Sequence, residues 1–224
     1  MNEFELKNLW QTANDKLDES HLLNKKNTED ITRIKLYNVL GAMKPVKIFT
    51  ILIGFLWVGI GATVLSGIYT YAFSEANKFF LFAATAQILL TAIALFIYIF
   101  QLTKIYQVEV DEPILQTQSK LVQLKISTLW ATRILLLQLP LWTIFWWNET
   151  LLTDWSFYQW LITLSFTVSF TFFAIWLFFN IKYENRNKKW FKLIFNGREW
   201  TPLMKSMELL EEIDEYKNDA NTST

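Results

Sequence analysis

Apolar and polar positions in this chain are not interleaved; they fall into blocks. Between Lys47 and Glu75 lie 27 residues without a charged side chain, between Lys78 and Lys104 another 25, and between Asp154 and Lys182 another 27. A hydrocarbon core about 30 Å thick takes about 20 helical residues to cross, and a helix pairs its own backbone groups where no water can. Each block therefore predicts a crossing helix, over 48–71, 79–103 and 156–180. The remaining apolar stretch, Ile126 to Asn148, is interrupted by Arg133, and its uncharged part from Ile134 runs for 15 residues. Counting back about 20 residues from Trp147 predicts a further span over 128–148. Arg133 then lies about 8 Å inside one edge, where its guanidinium reaches the headgroups by snorkelling. Pro140 predicts a bend in this span, because proline removes an intrahelical hydrogen bond.

The polar blocks carry helical periodicity of their own. Leu6, Leu9, Trp10, Ala13 and Leu17 share one helical face, and Leu36, Val39, Leu40 and Met43 share another. The intervening NKKNTED, Asn24 to Asp30, predicts a turn, so the amino-terminal tail is expected to form two short helices. In the connection 104–127, proline after Asp111 and Glu112 marks a helix start. The stripe Ile114, Leu121 and Leu124 is expected to be covered by an extension of the preceding span through Ile105 and Val108. Beyond the last span, Thr201 and Pro202 open a helix with Leu203, Met207, Leu210 and Ile213 on one face. Its other face, from Glu208 to Glu215, is acidic and repels an anionic leaflet, so the apolar stripe is expected to seek protein, with Leu9 and Trp10 the nearest candidates.

The predicted fold class is thus all-α: an integral membrane four-helix bundle with cytosolic amphipathic helices at both termini. Residues 1–45 form a cytosolic helical tail, 46–181 the bundle with its cytosolic loop 104–127, and 182–224 a basic segment and an amphipathic helix. Lys and Arg number eight before the first span, eight after the last and three in 104–127, whereas the connections 72–78 and 149–155 hold only Lys78. Cationic residues are retained on the cytoplasmic side, which predicts both termini inside. Tyr69, Tyr71 and Phe73, and Trp146, Trp147, Trp155, Tyr158 and Trp160, fall where an outer aromatic belt belongs. The first apolar run begins behind a long polar segment, so no cleavable signal peptide is expected and the mature chain is expected to start at Met1.

Charge and composition narrow the function. Lys plus Arg and Asp plus Glu are each 21, a balance that argues against nucleic acid as a partner. The chain has no cysteine and one histidine, His21, and carries no hydrolase, metalloprotease or phosphate-loop motif; no enzyme, cofactor or metal is expected. Within the spans, Gly59, Ala62, Thr63, Ser66 and Gly67 form a small-residue stripe that predicts close helix approach. Gln87 and Gln138 lie about 12 and 15 Å from the outer edge, matched depths at which their amides are expected to pair. Arg133 is expected to anchor at the interface or to meet a carboxylate such as Glu109. No span holds Asp or Glu, which disfavours a proton-coupled carrier. Lys188, Lys189, Trp190 and Lys192 are a topological anchor or, functionally, a site for anionic lipid headgroups.

The segments LKNLWQTANDKL (Leu6 to Leu17), DEPILQTQSKL (Asp111 to Leu121), NKKW (Asn187 to Trp190) and MELLEEIDEY (Met207 to Tyr216) together resemble small, uncharacterised four-span inner-membrane proteins of bacteria. The resemblance covers nearly the full chain and implies architecture and the bacterial inner membrane, with no catalytic or binding residues to carry over. The expected role is non-enzymatic: a membrane protein presenting a cytosolic helical surface to a cytosolic or membrane protein partner, through Leu6, Leu9, Trp10, Leu17, Leu203, Met207 and Leu210, as a scaffold or regulatory anchor. The alternative is a transporter or channel subunit acting as a homo-oligomer, with Gln87, Arg133 and Gln138 as its polar residues.

Overall fold

A computed structural model describes residues 3–108, 114–148, 150, 154–197 and 200–209, leaving aside the side chains of 3–6, 9, 18, 21, 22, 25, 29, 114 and 115. The described residues are all-helical: α1 Glu3–Gly41, α2 Lys44–Tyr71, α3 Lys78–Tyr106, α4 Ile114–Leu136, α5 Leu139–Ile144, α6 Phe157–Asn180 and α7 Lys189–Phe195. A 3-10 turn, Tyr183–Asn185, precedes α7, and residues 200–209 are helical again. Three helical stretches are long and apolar enough to cross a membrane: Lys26–Tyr71, whose apolar part is α2, Lys78–Tyr106 and Phe157–Asn180. The predicted spans 48–71 and 79–103 fall inside α2 and α3, and 156–180 coincides with α6 plus its capping Ser156.

The amino-terminal tail differs from its expected form. One continuous helix of 39 residues replaces the two short ones. NKKNTED holds neither glycine nor proline, so nothing in it breaks the backbone ladder, and Thr28 and Thr32 turn their hydroxyls back onto the Asn24 and Thr28 carbonyls. The interruption comes later, at Ala42 and Met43, where Pro45 near the start of α2 has no N–H to offer Gly41.

α2 and α3 pack antiparallel along a seven-residue repeat. Lys47, Gly54 and Gly61 meet Gln101, Leu95 and Ile88 in turn. Buried Ile51 and Leu65 fall between and beyond them on the same seam. A Cβ at Gly54 would come within 2.4 Å of Leu95 Cδ2, and one at Gly61 within 2.6 Å of Ile88 Cδ1. The close approach thus uses these two glycines, not the expected stripe. Gly59 and Gly67 have nothing within 4 Å of a built Cβ, and Ala62, Thr63 and Ser66 are exposed.

The fourth predicted span, 128–148, is divided. α4 ends at Leu136 and α5 begins at Leu139, because Pro140 cannot donate to the Leu136 carbonyl and the Gln138 N–H closes a tighter turn on Leu135, 3.2 Å away. Together the two pieces run the length of α3. Lys120 donates to the carbonyl of Gln107, which ends α3. At the other end Asn77, which caps α3, donates to the carbonyl of Trp147. Phe80 meets Phe145 edge to face at 5.1 Å beside that cap.

The largest buried cluster lies at the end of the molecule that bears both tails. Leu36 and Leu40 of α1, Met43 at the junction with α2, Ile105 of α3 and Val108 just beyond it, Leu121 and Leu124 of α4, Leu177 of α6, Phe191 and Phe195 of α7, and Trp200 and Leu203 share it. The expected cover of Leu121 and Leu124 by Ile105 and Val108 is therefore present.

Candidate functional site

Three features carry the chemistry, the first two of them at or near the tail-bearing end. Lys47, 0% exposed, donates to Gln101 Oε1 at 2.6 Å and sits 4.1 Å from the centroid of the Tyr98 ring. Burying an ammonium is costly unless it is paired, and here an amide oxygen and a π face replace water. Sequence reasoning counted Lys47 only among the cations flanking the first span. Its position seven residues before Gly54, on the seam, is the signal that marks it as inward-facing.

Arg133 is held by the protein itself. Its Nε donates to the Ile181 carbonyl at 2.9 Å, an Nη donates to the same oxygen, and the guanidinium lies 5.1 Å from the Trp130 ring. Ile181 ends α6, where carbonyls lack helical partners and the helix dipole is negative, so the cation seals that terminus. Glu109, its expected alternative partner, lies outside the described residues. Lys120 on the Gln107 carbonyl does the same for α3, so one helix, α4, supplies cationic caps to two neighbours.

Gln138 and Gln87 do not pair directly. The Gln138 amide donates to Thr91 Oγ1 at 3.0 Å, and the Thr91 hydroxyl donates to the Gln87 carbonyl at 2.8 Å. Gln87 lies one turn too far along α3 for its own side chain to meet Gln138. Its Nε2 is buried without a partner among the described residues, as is the Gln101 Nε2.

The expected partner-binding residues separate into two groups. Leu203 is 0% exposed, inside the tail-bearing core, and Met207 is half-buried. The start of that stripe is therefore covered by this chain itself, in the cluster that holds Phe191, Phe195 and Trp200. Trp10 and Leu17, by contrast, are 74% and 59% exposed on α1. Every described side chain from Lys7 to Ile31 is exposed, and burial begins at Thr32. The Leu6 and Leu9 side chains and all of Leu210 lie outside the described residues. Lys188, Lys189 and Lys192 are exposed at the start of α7, while Trp190 is partly buried against the core, 5.1 Å from Trp176.

Comparison with known proteins finds no matching family model, no similar curated protein and no similar solved structure.

Proposed function

We propose that this is a non-enzymatic integral membrane protein of the bacterial inner membrane that holds out a cytosolic helical arm for a protein partner. In this reading α2, α3, the α4–α5 pair and α6 form a four-span bundle with both termini in the cytoplasm. The positions of Lys and Arg support that orientation. The contacts of α4 and α5 with both ends of α3 support a fourth crossing.

The observation that carries the reading is α1. Its residues from Thr32 onward lock into the tail-bearing core, and its first 28 or so project as a helix about 40 Å long with Trp10 and Leu17 exposed. An apolar stripe on a helix with no cover of its own is a docking surface, and a base anchored in a packed core holds it at a defined place. Removing residues 1–27 should leave the bundle inserted and abolish recovery of the partner in mild detergent. Recovery that survives the truncation overturns the reading.

A second reading, a small-molecule transporter or channel subunit acting as an oligomer, draws on the unpartnered Gln87 Nε2, a buried donor that a polar substrate would satisfy. It requires flux to fall when Gln87, Gln138 or Arg133 is substituted and to tolerate loss of residues 1–27.

A further inference from the structure

Between α3 and α4 lies a groove of about 480 Å³ lined by Phe96, Ile97, Phe100, Gln123, Ile126, Ser127 and Trp130. Its walls are aromatic and aliphatic, and its two polar side chains differ in role. Ser127 donates to the Leu124 carbonyl of its own helix at 3.0 Å, so it offers no donor to the groove. Gln123, exposed, stands toward the tail-bearing end. At that end too the Lys104 Nζ lies 5.3 Å from the Phe100 ring, one turn beyond the groove's lining on α3. At the Trp130 wall the Arg133 guanidinium packs on the ring while it donates to Ile181. The groove is therefore apolar along its length, with Gln123 and Lys104 at the end where the headgroups of a bilayer would lie.

We infer that this groove binds one acyl chain of an anionic phospholipid, with the headgroup phosphate held by Lys104 and Gln123. The inference rests on the proposed membrane embedding of α3 and α4. Charge complementarity selects the occupant. A free fatty acyl chain or a zwitterionic lipid would fill the apolar walls equally well, but the cation at the mouth favours a phosphodiester that carries net negative charge. The aromatic walls give a chain a rigid surface of complementary shape. This site is separate from Lys188, Lys189 and Lys192, which belong to α7.

The test uses the full-length chain in bilayer nanodiscs containing phosphatidylglycerol or phosphatidylethanolamine with a photoreactive group on one acyl chain. Crosslinked residues are mapped by mass spectrometry. Lipid retained on detergent extraction is counted by native mass spectrometry for wild type, Lys104→Gln and Ser127→Phe. Crosslinks concentrated on Phe96, Phe100, Ile126 and Trp130, with phosphatidylglycerol retained at least fivefold over phosphatidylethanolamine and that preference lost in Lys104→Gln, are the expected result. Ser127→Phe fills the groove and should lower retention of both lipids; should it fail to fold, the Lys104→Gln arm decides alone. Crosslinks spread evenly over the exposed faces of α2, α3 and α6 would leave the embedding standing and overturn the groove. Absence of crosslinks from all helices would overturn both. Groove crosslinks without preference between the two lipids, or with a preference indifferent to Lys104→Gln, would overturn the assignment of an anionic headgroup.

Discussion

The Lys47 ammonium and the Gln101 amide oxygen meet at 2.6 Å in a place where neither residue is exposed, and this contact closes the α2–α3 seam at its tail-bearing end. Below it, along the same seven-residue repeat, Gly54 and Gly61 bring the two helices together. The pair behaves as a polar latch. Deleting one partner leaves the other buried without it, whereas replacing both with apolar groups of similar shape removes the buried ammonium and the amide together. Lys47→Ala should therefore destabilise the protein by about 1–3 kcal/mol. The double variant Lys47→Met, Gln101→Leu should lie close to wild type. Denaturation of all four members of the cycle in one detergent checks this, and a double variant at least as unstable as the single one would refute it.

The glycine seam makes a contrast between positions of the same residue type. Gly54→Leu and Gly61→Leu force Leu95 and Ile88 aside and should each cost about 1–3 kcal/mol by overpacking. Leu95→Ala should recover part of the loss at Gly54. Gly59→Ala, with open space around its Cβ, should be neutral or slightly stabilising, as expected from helix propensity alone. Thermal midpoints of the four variants decide the matter.

Arg133 predicts a local effect with a chemical signature. Removing the guanidinium in Arg133→Gln leaves the Ile181 carbonyl without its two cationic donors, so the last turn of α6 should fray. Hydrogen exchange at residues 178–182 should accelerate by about tenfold or more, corresponding to the roughly 1.5–3 kcal/mol of a charged hydrogen bond. Arg133→Lys should fall between, because an ammonium cannot present two parallel donors to one oxygen from a planar fork. Exchange in the other helices should stay unchanged.

The proposed orientation is open to direct labelling, since the chain contains no cysteine. Ser20→Cys and Lys188→Cys should resist a membrane-impermeant thiol reagent in intact cells and react after lysis. Ser74→Cys and Asp154→Cys, exposed in the opposite connections, should react in both. Labelling of Ser20→Cys from outside would reverse the arrangement.

Three long apolar helices are legible in the order of residues because a charge-free run of 25 or 27 positions has few other stable fates. The stripe Leu36, Leu40 and Met43, and the meeting of Ile105 and Val108 with Leu121 and Leu124, follow in the same way from local periodicity. The continuity of α1 was hidden because NKKNTED is polar, and polarity alone does not end a helix. Which glycines make the α2–α3 contact was hidden for another reason. Several faces of α2 are small or apolar, and only the partner helix selects one.

What the amino-acid sequence by itself determined is the helical character of the chain, the length of its apolar segments and the segregation of its charges, all of which depend on neighbours within a few turns. What only the tertiary structure decided is which polar groups face one another: Lys47 with Gln101, Arg133 with Ile181, Gln138 with Thr91 instead of Gln87. Partners 47 to 54 residues apart in sequence are fixed by helix register and rotation, and these emerge only when the whole set of side chains is packed at once.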